Sequence, residues 1–297
     1  MQALFDVVIP THNNFKELLN CLKSLENQTV KDFKAWICVD GSTDETVDFL
    51  KQKNLYPFAY AVLQHSDKKN HGRAATRNLA LPYLQARYVV FLDSDLYVQN
   101  DFLEKHFSLV KKENTISIGQ VKYEKPRTVW VTYLLSRGEN RHYRTEKIAY
   151  KYFVSGNVAI PVNQARACDG FDENFTVYGG EDTEFGYRLE QKFHPKFFVN
   201  ADATAFGKSN KSLEEGLRQR QIFAATGLKY IRTKHPEFDT VFHVKFMDTK
   251  RAECLYRLLP ERFIKQLVSF SFVPDFLKIK LIHLLVFAAQ YKGYHSS

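Results

Sequence analysis

Two aspartates separated by one serine follow directly on an apolar run in this sequence. The run is Tyr88 to Leu92, and the triplet is Asp93-Ser94-Asp95. Such a run is typical of a buried strand, and open α/β sheets bind ligands at the carboxyl ends of their strands. Two adjacent carboxylates repel each other unless a cation or donors compensate them, and their oxygens suit Mg²⁺ or Mn²⁺. The triplet therefore indicates a divalent ion beside a diphosphate; the alternative is a surface turn.

A second acidic pair follows two glycines, in Gly179-Gly180-Glu181-Asp182. Paired glycines let the backbone approach a ligand closely, and acids in the first turn of a helix are stabilised by the helix dipole. We interpret Glu184 as part of such a helix start only, and Asp182 beside the glycines as functional.

The elements that must position these acids alternate between strand and helix patterns. Helices are expected after an Asn13 or Asn14 cap, after a Ser42 or Thr43 cap, and over 72–84 and 102–110. The alternation predicts an α/β protein with a mainly parallel sheet and helices on both faces. The predicted strands cover 5–10, 35–39, 59–63, 88–92, 116–121 and 153–161, the last interrupted at Gly156.

Bulk composition narrows the class of protein. With 44% hydrophobic and 25% charged residues, the 297-residue chain is typical of a globular protein with one α/β domain and an appendage, or with two domains. The four cysteines form no CxxC pair, so we interpret them as reduced thiols of a cytosolic protein. Because the first strand is predicted near Leu4, we expect no signal peptide.

Positive charge is concentrated at the end of the chain. Residues 1–207 hold 26 Lys/Arg against 25 Asp/Glu, a balance of +1, and residues 208–297 hold 16 against 8, a balance of +8. Helical spacing predicts one helix from Leu213 to Leu228 and others over 260–290, broken at Pro274. Such a basic surface attracts anionic lipid or nucleic acid, or is simply a solvated helical surface.

The run 276–287 is apolar with lysines at 278 and 280. It is shorter than the about 20 apolar residues that a spanning helix needs. It predicts either peripheral membrane contact through 274–290 or a helix packed on the body or across a homo-oligomer interface. The basic and aromatic residues of 122–152 predict a loop or irregular helices over the site, and without a recognition motif they do not favour nucleic acid.

Four loops and one helix motif together resemble the family-two glycosyltransferases of the GT-A (Rossmann-like) fold. The motif runs from Gly72-Arg73 to Arg77-Asn78, and the loops are Pro10–Asn13, Asp40–Asp44, Asp93–Asp95 and Gly179–Asp182. The resemblance covers residues 5 to about 207 and nothing beyond. It implies a catalytic domain over 1–207, whereas the basic helical extension over 208–297 is predicted from the charge and the helical spacing.

The resemblance also implies an activity. The chain would move a sugar from a nucleotide-sugar, most often a UDP-sugar, to an acceptor, by inverting single displacement with Mn²⁺ or Mg²⁺. The metal neutralises the leaving diphosphate, and a carboxylate takes the proton of the acceptor hydroxyl. The expected acceptor is a cell-surface polysaccharide, a lipid-linked sugar or a protein, and the expected location is the cytoplasm or the inner face of the membrane.

Family positions carry over to individual residues of this chain. Asp95 would hold the metal, Asp182 would be the catalytic base, and Glu181 would contact the acceptor or the sugar. Asp40 would accept the uracil N–H, because an ionised carboxylate only accepts hydrogen bonds. The residues matched to donor binding are Pro10, Thr11 and Asn13 in the nucleoside pocket, Asp40, Arg73 and Arg77 beside the nucleotide, Asp93 and Ser94 at the ribose and sugar, and Gly156 and Asn157 in the donor-sugar segment.

One position departs from the family pattern. Many relatives carry a metal-binding histidine after the glutamate-aspartate helix, whereas segment 201–207 has none and Phe206 stands in its place. His194, His235 or His243 could substitute. The alternative to an enzyme is a non-catalytic scaffold that binds nucleotide-sugar or glycan, although retention of the acids argues against it. A nucleotide-sugar synthesising enzyme is not favoured, since its glycine-rich basic N-terminal loop is missing.

Overall fold

A computed structural model describes residues 3–52, 54–125, 127–141, 144–241 and 244–296. The chain divides into two compact units. The sheet unit comprises 1–124, 139–176 and 181–208, and the helical unit comprises 125–138, 177–180 and 209–297. The helical unit thus includes two short segments from earlier in the chain, and a domain boundary at 207/208 stays a prediction.

Nine strands form one sheet within the described part of the sheet unit. They are β1 (Phe5–Thr11), β2 (Phe33–Val39), β3 (Ala59–Gln64), β4 (Tyr88–Leu92), β5 (Leu96–Val98), β6 (Thr115–Tyr123), β7 (Glu146–Lys147), β8 (Asn157–Pro161) and β9 (Lys196–Gly207). Their order is β3-β2-β1-β4-β8-β6-β9-β5, with β7 paired to β9. The β3-β2-β1-β4 half is parallel, whereas β8 is antiparallel to both β4 and β6.

Each face of the sheet is covered by its own set of helices, which confirms the predicted α/β class. Along β1, Phe5 and Val7 pack in one core cluster and Val8 packs in the other, as the period of two requires. The helices are α1 (Phe15–Leu25), α2 (Thr46–Leu50), α3 (Arg73–Asn78), α4 (Phe102–Val110), α6 (Val162–Ala167) and α7 (Glu181–Phe193). The first cluster includes residues of α1 and α4, and the second includes residues of α3, α6 and α7.

The predicted side-chain caps of the first two helices are wrong. Asn14 occupies the N-cap position of α1, but its side chain makes no capping bond. Instead Asp44 accepts the Phe15 N–H at 3.0 Å and the Thr46 N–H at 3.2 Å. The Asp44 carboxylate, in the β2–α2 loop, therefore accepts the first N–H group of both α1 and α2. It takes the capping role that was predicted for Ser42 or Thr43 at α2.

Three other predicted boundaries are also corrected. The helix predicted over 72–84 ends at Asn78, and a 3₁₀ turn with Pro82 follows over Leu81–Tyr83 because proline cannot continue the hydrogen-bond ladder. The strand predicted over 153–161 begins only at Asn157. The single helix predicted from Leu213 is two helices, separated at Thr226.

The helical unit has its own core. Trp130 and Tyr133 of α5 pack with Leu213, Leu217 and a set of residues on α13 and α14. Added to Gly216, a Cβ would lie 2.1 Å from the Trp130 ring, so α8 needs glycine there. The helices are α5 (Val129–Leu135), α8 (Leu213–Ala225), α9 (Gly227–Lys234), α10 (Phe238–Val241), α11 (Val244–Met247), α12 (Lys250–Leu258), α13 (Glu261–Ser269) and α14 (Asp275–Tyr294).

The segment 122–152, predicted to be a loop or irregular helices, includes the end of β6, α5, two 3₁₀ turns and β7. Residues 126, 142 and 143 of this segment lie outside the described ranges. The predicted break at Pro274 is confirmed, since it separates α13 from α14. None of the helices in the described ranges combines the length and the apolar character that crossing a membrane requires.

Candidate active site

The loops after β1, β2 and β4 are tied to one another by side-chain hydrogen bonds. Asn13, in the left-handed region at φ 48°, accepts the Thr43 N–H at 2.7 Å. Asn14 donates to the Ser94 hydroxyl at 2.7 Å and accepts from Thr11 at 2.5 Å. Because these three strands are parallel neighbours, their loops meet at one edge of the sheet. The structure thus gathers the predicted nucleoside loop and the Asp93-Ser94-Asp95 loop.

Asp40, after β2, holds the beginning of α3. Its carboxylate is buried and accepts the His71 N–H at 2.7 Å and the Gly72 N–H at 3.1 Å. Gly72 has φ 86°, a conformation that favours glycine. The Nε2 atom of His65 lies 3.7 Å from the Asp40 carboxylate. Burial lowers the pKa of His65. Each Asp40 oxygen keeps a second lone pair, so the predicted contact with a base N–H is compatible with these bonds.

Arg77 connects α3 to the acids. Its Nη2 donates to Asp93 at 2.7 Å, and only 3% of its side chain is exposed. Burial opposes the charge, but Asp93, Asp182 and Glu181 together raise the pKa of Arg77 above its ordinary value. Within the described ranges, its Nε and Nη1 atoms have no hydrogen-bond partner. Arg73, one turn earlier, is exposed.

Two adjacent residues before β8 connect Asp93 to Asp182. The Gly156 carbonyl accepts the Asp93 N–H at 3.0 Å, and a Cβ on Gly156 would lie 2.8 Å from the Asp93 carboxylate. The Ser155 hydroxyl donates to Asp182 at 2.5 Å. Gly156 therefore allows the Asp93 carboxylate to pack closely against the backbone. Ser155 was missed from the sequence, where a serine before a strand carries no distinctive signal.

Glu181, which is buried, and Asp182, which is half-buried, lie side by side in the first turn of α7. Burial and the neighbouring Asp182 raise the pKa of Glu181 to about 7. Burial also raises the pKa of Asp182, while Arg77 and Ser155 oppose that shift. Gly179 and Gly180 before them have φ 101° and 104°, which explains the glycine pair. A carboxylate with a raised pKa is suited to take a proton near neutral pH.

The structure corrects the role of Asn157. This side chain is fully buried and belongs to a hydrogen-bond network inside the sheet. Its amide donates to the carbonyls of Gln120 and Ala203, both at 2.9 Å, and its carbonyl lies 2.8 Å from His106 Nε2. Burial lowers the pKa of His106 to about 4, so this histidine is neutral. Asn157 therefore satisfies the core and does not contact a donor sugar through its side chain.

The Asp95 carboxylate suits a metal ion that a bound ligand also coordinates, and not an ion enclosed by protein side chains alone. Asp95 is exposed after β4. In the described ranges, no three His, Cys, Asp or Glu side chains are grouped so as to hold an ion. Mg²⁺ is commonly held by one or two carboxylates together with substrate phosphates, and Asp95 can supply this share.

Of the histidines predicted as substitute ligands, the structure places only His194 relative to the acids of the sheet unit. Phe206, at the position of the missing histidine, stacks on Tyr97 with ring centroids 5.6 Å apart. His194 follows the far end of α7, about 20 Å along the helix from Glu181. His235 belongs to the helical unit, and His243 lies outside the described residues.

Comparison with known proteins supports the resemblance to glycosyltransferases. A sequence profile described as Glycosyl transferase family 2 matches residues 6–175. A chondroitin synthase of Escherichia coli is 27% identical over 221 residues, which are 62% of this chain and 32% of that protein. A poly(ribitol-phosphate) beta-glucosyltransferase of Bacillus spizizenii is 33% identical over 119 residues, covering 39% of this chain and 19% of that protein.

The chain thus spans about a third or less of the length of these curated relatives. Among solved structures, S. aureus TarS 1–349 in complex with UDP-GlcNAc superposes with a TM-score of 0.61 at 17% identity. The match covers 98% of this chain and 89% of that one. At this identity the likeness establishes a shared fold.

Proposed function

Because the chain belongs to glycosyl transferase family 2, we propose that it transfers a sugar from a UDP-sugar to a hydroxyl of a glycan acceptor, with inversion at the anomeric carbon. The observation that carries this proposal is the continuous connection between the acids. Ser155 bonds Asp182, the adjacent Gly156 bonds the Asp93 backbone, and Arg77 bonds the Asp93 carboxylate. The proposed base and the proposed donor-binding acid are therefore connected by hydrogen bonds.

In this reaction the acceptor oxygen attacks the anomeric carbon while the bond from that carbon to the diphosphate oxygen breaks. UDP leaves with the electron pair, and Asp182 takes the proton of the attacking hydroxyl. The Asp182 carboxylate is suited to this role because its raised pKa makes it a stronger base than an ordinary aspartate. Direct displacement from the side opposite the diphosphate gives inversion.

The neighbours of Asp182 orient the reactants. Arg77 offsets the charge of the three acids around it, which opposes the rise in the pKa of Asp182. The Glu181 Oε2 atom is buried and has no hydrogen-bond partner among the described residues. We assign it to a sugar hydroxyl, which would supply the missing donor.

A Mn²⁺ or Mg²⁺ ion, when bound by Asp95 and the donor phosphates, would neutralise charge on the leaving UDP. Metal titration of UDP binding, followed by calorimetry, tests this role. Tighter UDP binding with metal in the wild type, and loss of that gain in Asp95→Asn, are expected. Equal UDP affinity with and without metal would remove the ion from the mechanism.

The chemistry of the acceptor is proposed from the relatives. The names of two relatives, chondroitin synthase and poly(ribitol-phosphate) beta-glucosyltransferase, both refer to polymers. We therefore favour a polysaccharide or related polymer over a lipid-linked sugar or a protein. A cytoplasmic location and a homo-oligomer stay predictions; three buried free cysteines are compatible with a reducing compartment.

The decisive experiment compares Asp182→Asn with the wild type. We expect transfer to fall by about 10³-fold while UDP binding changes little, because Asn cannot accept the proton. Asp202→Asn, at an exposed position on β9, is the matched control and should be fully active. Normal turnover by Asp182→Asn would refute the assignment of the base. Wild-type protein that binds UDP-sugars but never releases UDP with any metal would instead be the scaffold.

A further inference from the structure

Exposed apolar side chains are concentrated in one stretch of the helical unit, residues 255–284, which we call the apolar-basic surface. Eleven large apolar side chains are exposed in the described part of the chain, and eight of them fall in this stretch. Phe272 is 76% exposed, Leu258 75% and Phe276 64%. The remaining five are Leu255, Phe263, Phe270, Leu277 and Leu284. A concentration of this kind marks an interaction site more often than a random surface does.

These side chains are exposed because other residues of the same elements fill the core of the helical unit. On α13, Ile264 and Val268 are buried in the core of the unit, and Phe263 lies on the other side of the helix. In the α13–α14 connection, Val273 is buried while Phe270 and Phe272 stack on each other with centroids 5.1 Å apart. Val273 thus attaches the connection to the core, and the rings of Phe270 and Phe272 face the solvent.

The charge of the same stretch is positive. Residues 255–284 hold five Lys/Arg against two Asp/Glu, a balance of +3. Lys278 and Lys280 follow Phe276 and Leu277 directly at the beginning of α14. Aromatic rings interleaved with cations suit a lipid interface, where rings enter the headgroup region and cations meet phosphates.

We propose that the apolar-basic surface docks on an anionic lipid bilayer as a peripheral contact. Charge complementarity selects this partner. An isologous contact between two copies would instead place two surfaces of the same net positive charge against each other. This inference goes beyond glycosyl transfer and does not depend on it, since no residue of the surface belongs to the candidate active site.

The test is co-sedimentation of the full chain with phosphatidylcholine vesicles, with and without phosphatidylglycerol. We expect binding only to the anionic vesicles, weakened by added salt. Phe272→Ser/Phe276→Ser should lose binding by about tenfold or more, because each ring contributes apolar burial. Lys278→Glu/Lys280→Glu should also lose about tenfold or more, because each cation near the surface strengthens binding several-fold.

Matched controls separate docking from damage. Lys111→Glu/Lys112→Glu makes the same change in charge at two exposed residues of the sheet unit, and Tyr83→Ser removes an exposed ring there. Both should bind as the wild type does, and all variants should keep the wild-type circular dichroism and UDP release. Equal binding to neutral vesicles, no binding to anionic ones, or undiminished binding by both surface variants would each overturn the proposal. A dimer that Phe272→Ser/Phe276→Ser converts to monomer would overturn it in favour of a contact between copies.

Discussion

Replacing Glu181 with glutamine should stabilise the protein above about pH 4.5, and most strongly at neutral and alkaline pH. Glu181 is 6% exposed beside Asp182, and burial together with that neighbour raises its pKa to about 7, from an ordinary value of 4.5. A carboxyl group in this setting is easier to keep protonated than ionised. Glutamine has nearly the same shape and never ionises, so it removes the cost of burying the charge.

The sign and size follow from the two pKa values. Below about pH 4.5 both states of the protein carry the proton, and Glu181 costs nothing. As the pH rises to about 7, the unfolded chain releases the proton while the folded chain keeps it, so wild-type stability falls. Above that window the loss is complete, and 2.5 pK units (7 − 4.5) correspond to about 3 kcal/mol.

Urea unfolding of both proteins, followed by circular dichroism from about pH 4 to about pH 8, measures this effect. The variant minus wild-type difference in unfolding free energy should rise across the window by about 3 kcal/mol. Using the difference removes the titration of groups that do not interact with Glu181, His106 included. Glu113→Gln, at an exposed glutamate, is the matched control and should give a flat difference.

A flat difference for Glu181→Gln would refute the reasoning. It would mean that Glu181 ionises as an exposed glutamate does, and that Glu181 is not buried as the structure has it. A difference that falls with rising pH would show that the ionised form is the one stabilised, for instance by Arg77.

Three further changes test the neighbourhood of the acids. Ser155→Ala removes the 2.5 Å bond that lowers the pKa of Asp182, so the acid limb of the kcat/KM profile should move to higher pH; an unmoved limb would contradict the role of Ser155. Asn157→Leu leaves His106 and two carbonyls unsatisfied, so urea titration should show a loss of about 3 kcal/mol or more, and a variant as stable as wild type would contradict the network. Arg77→Met leaves the acids uncompensated, so Asp182 should stay protonated to higher pH and kcat/KM near neutral pH should fall by about 10²-fold, recovering at alkaline pH; loss at every pH would indicate misfolding instead.

Some elements could be predicted because their information is local. The apolar run of β4 and the amphipathic α4 have the predicted bounds, 88–92 and 102–110. The order of the four loops identified the family. Three of these loops follow the parallel strands β1, β2 and β4, whose carboxyl ends meet at one edge of the sheet. Acids in such loops could therefore be assigned to one site before any distance was known.

Other elements required partners that are distant in the chain. Asp44 caps α1 from another loop, which its spacing to α2 did not reveal. Ser155 and Asn157 have the same short polar character near one strand, yet Ser155 bonds Asp182 while Asn157 fills the interior. The sequence pattern cannot separate them, because the difference lies in which polar atoms the opposing elements leave unpaired.

The residue sequence by itself determined the α/β class, the family and the set of acids available for chemistry, since these depend on apolar periodicity and on residue types at loop positions. Tertiary structure alone decided the ionisation of those acids. Burial and a neighbouring charge set the pKa of Glu181 and Asp182, and both depend on how α7 packs against Arg77 and Ser155. Electrostatic free energies depend on distance and on the exclusion of water, which no linear pattern records.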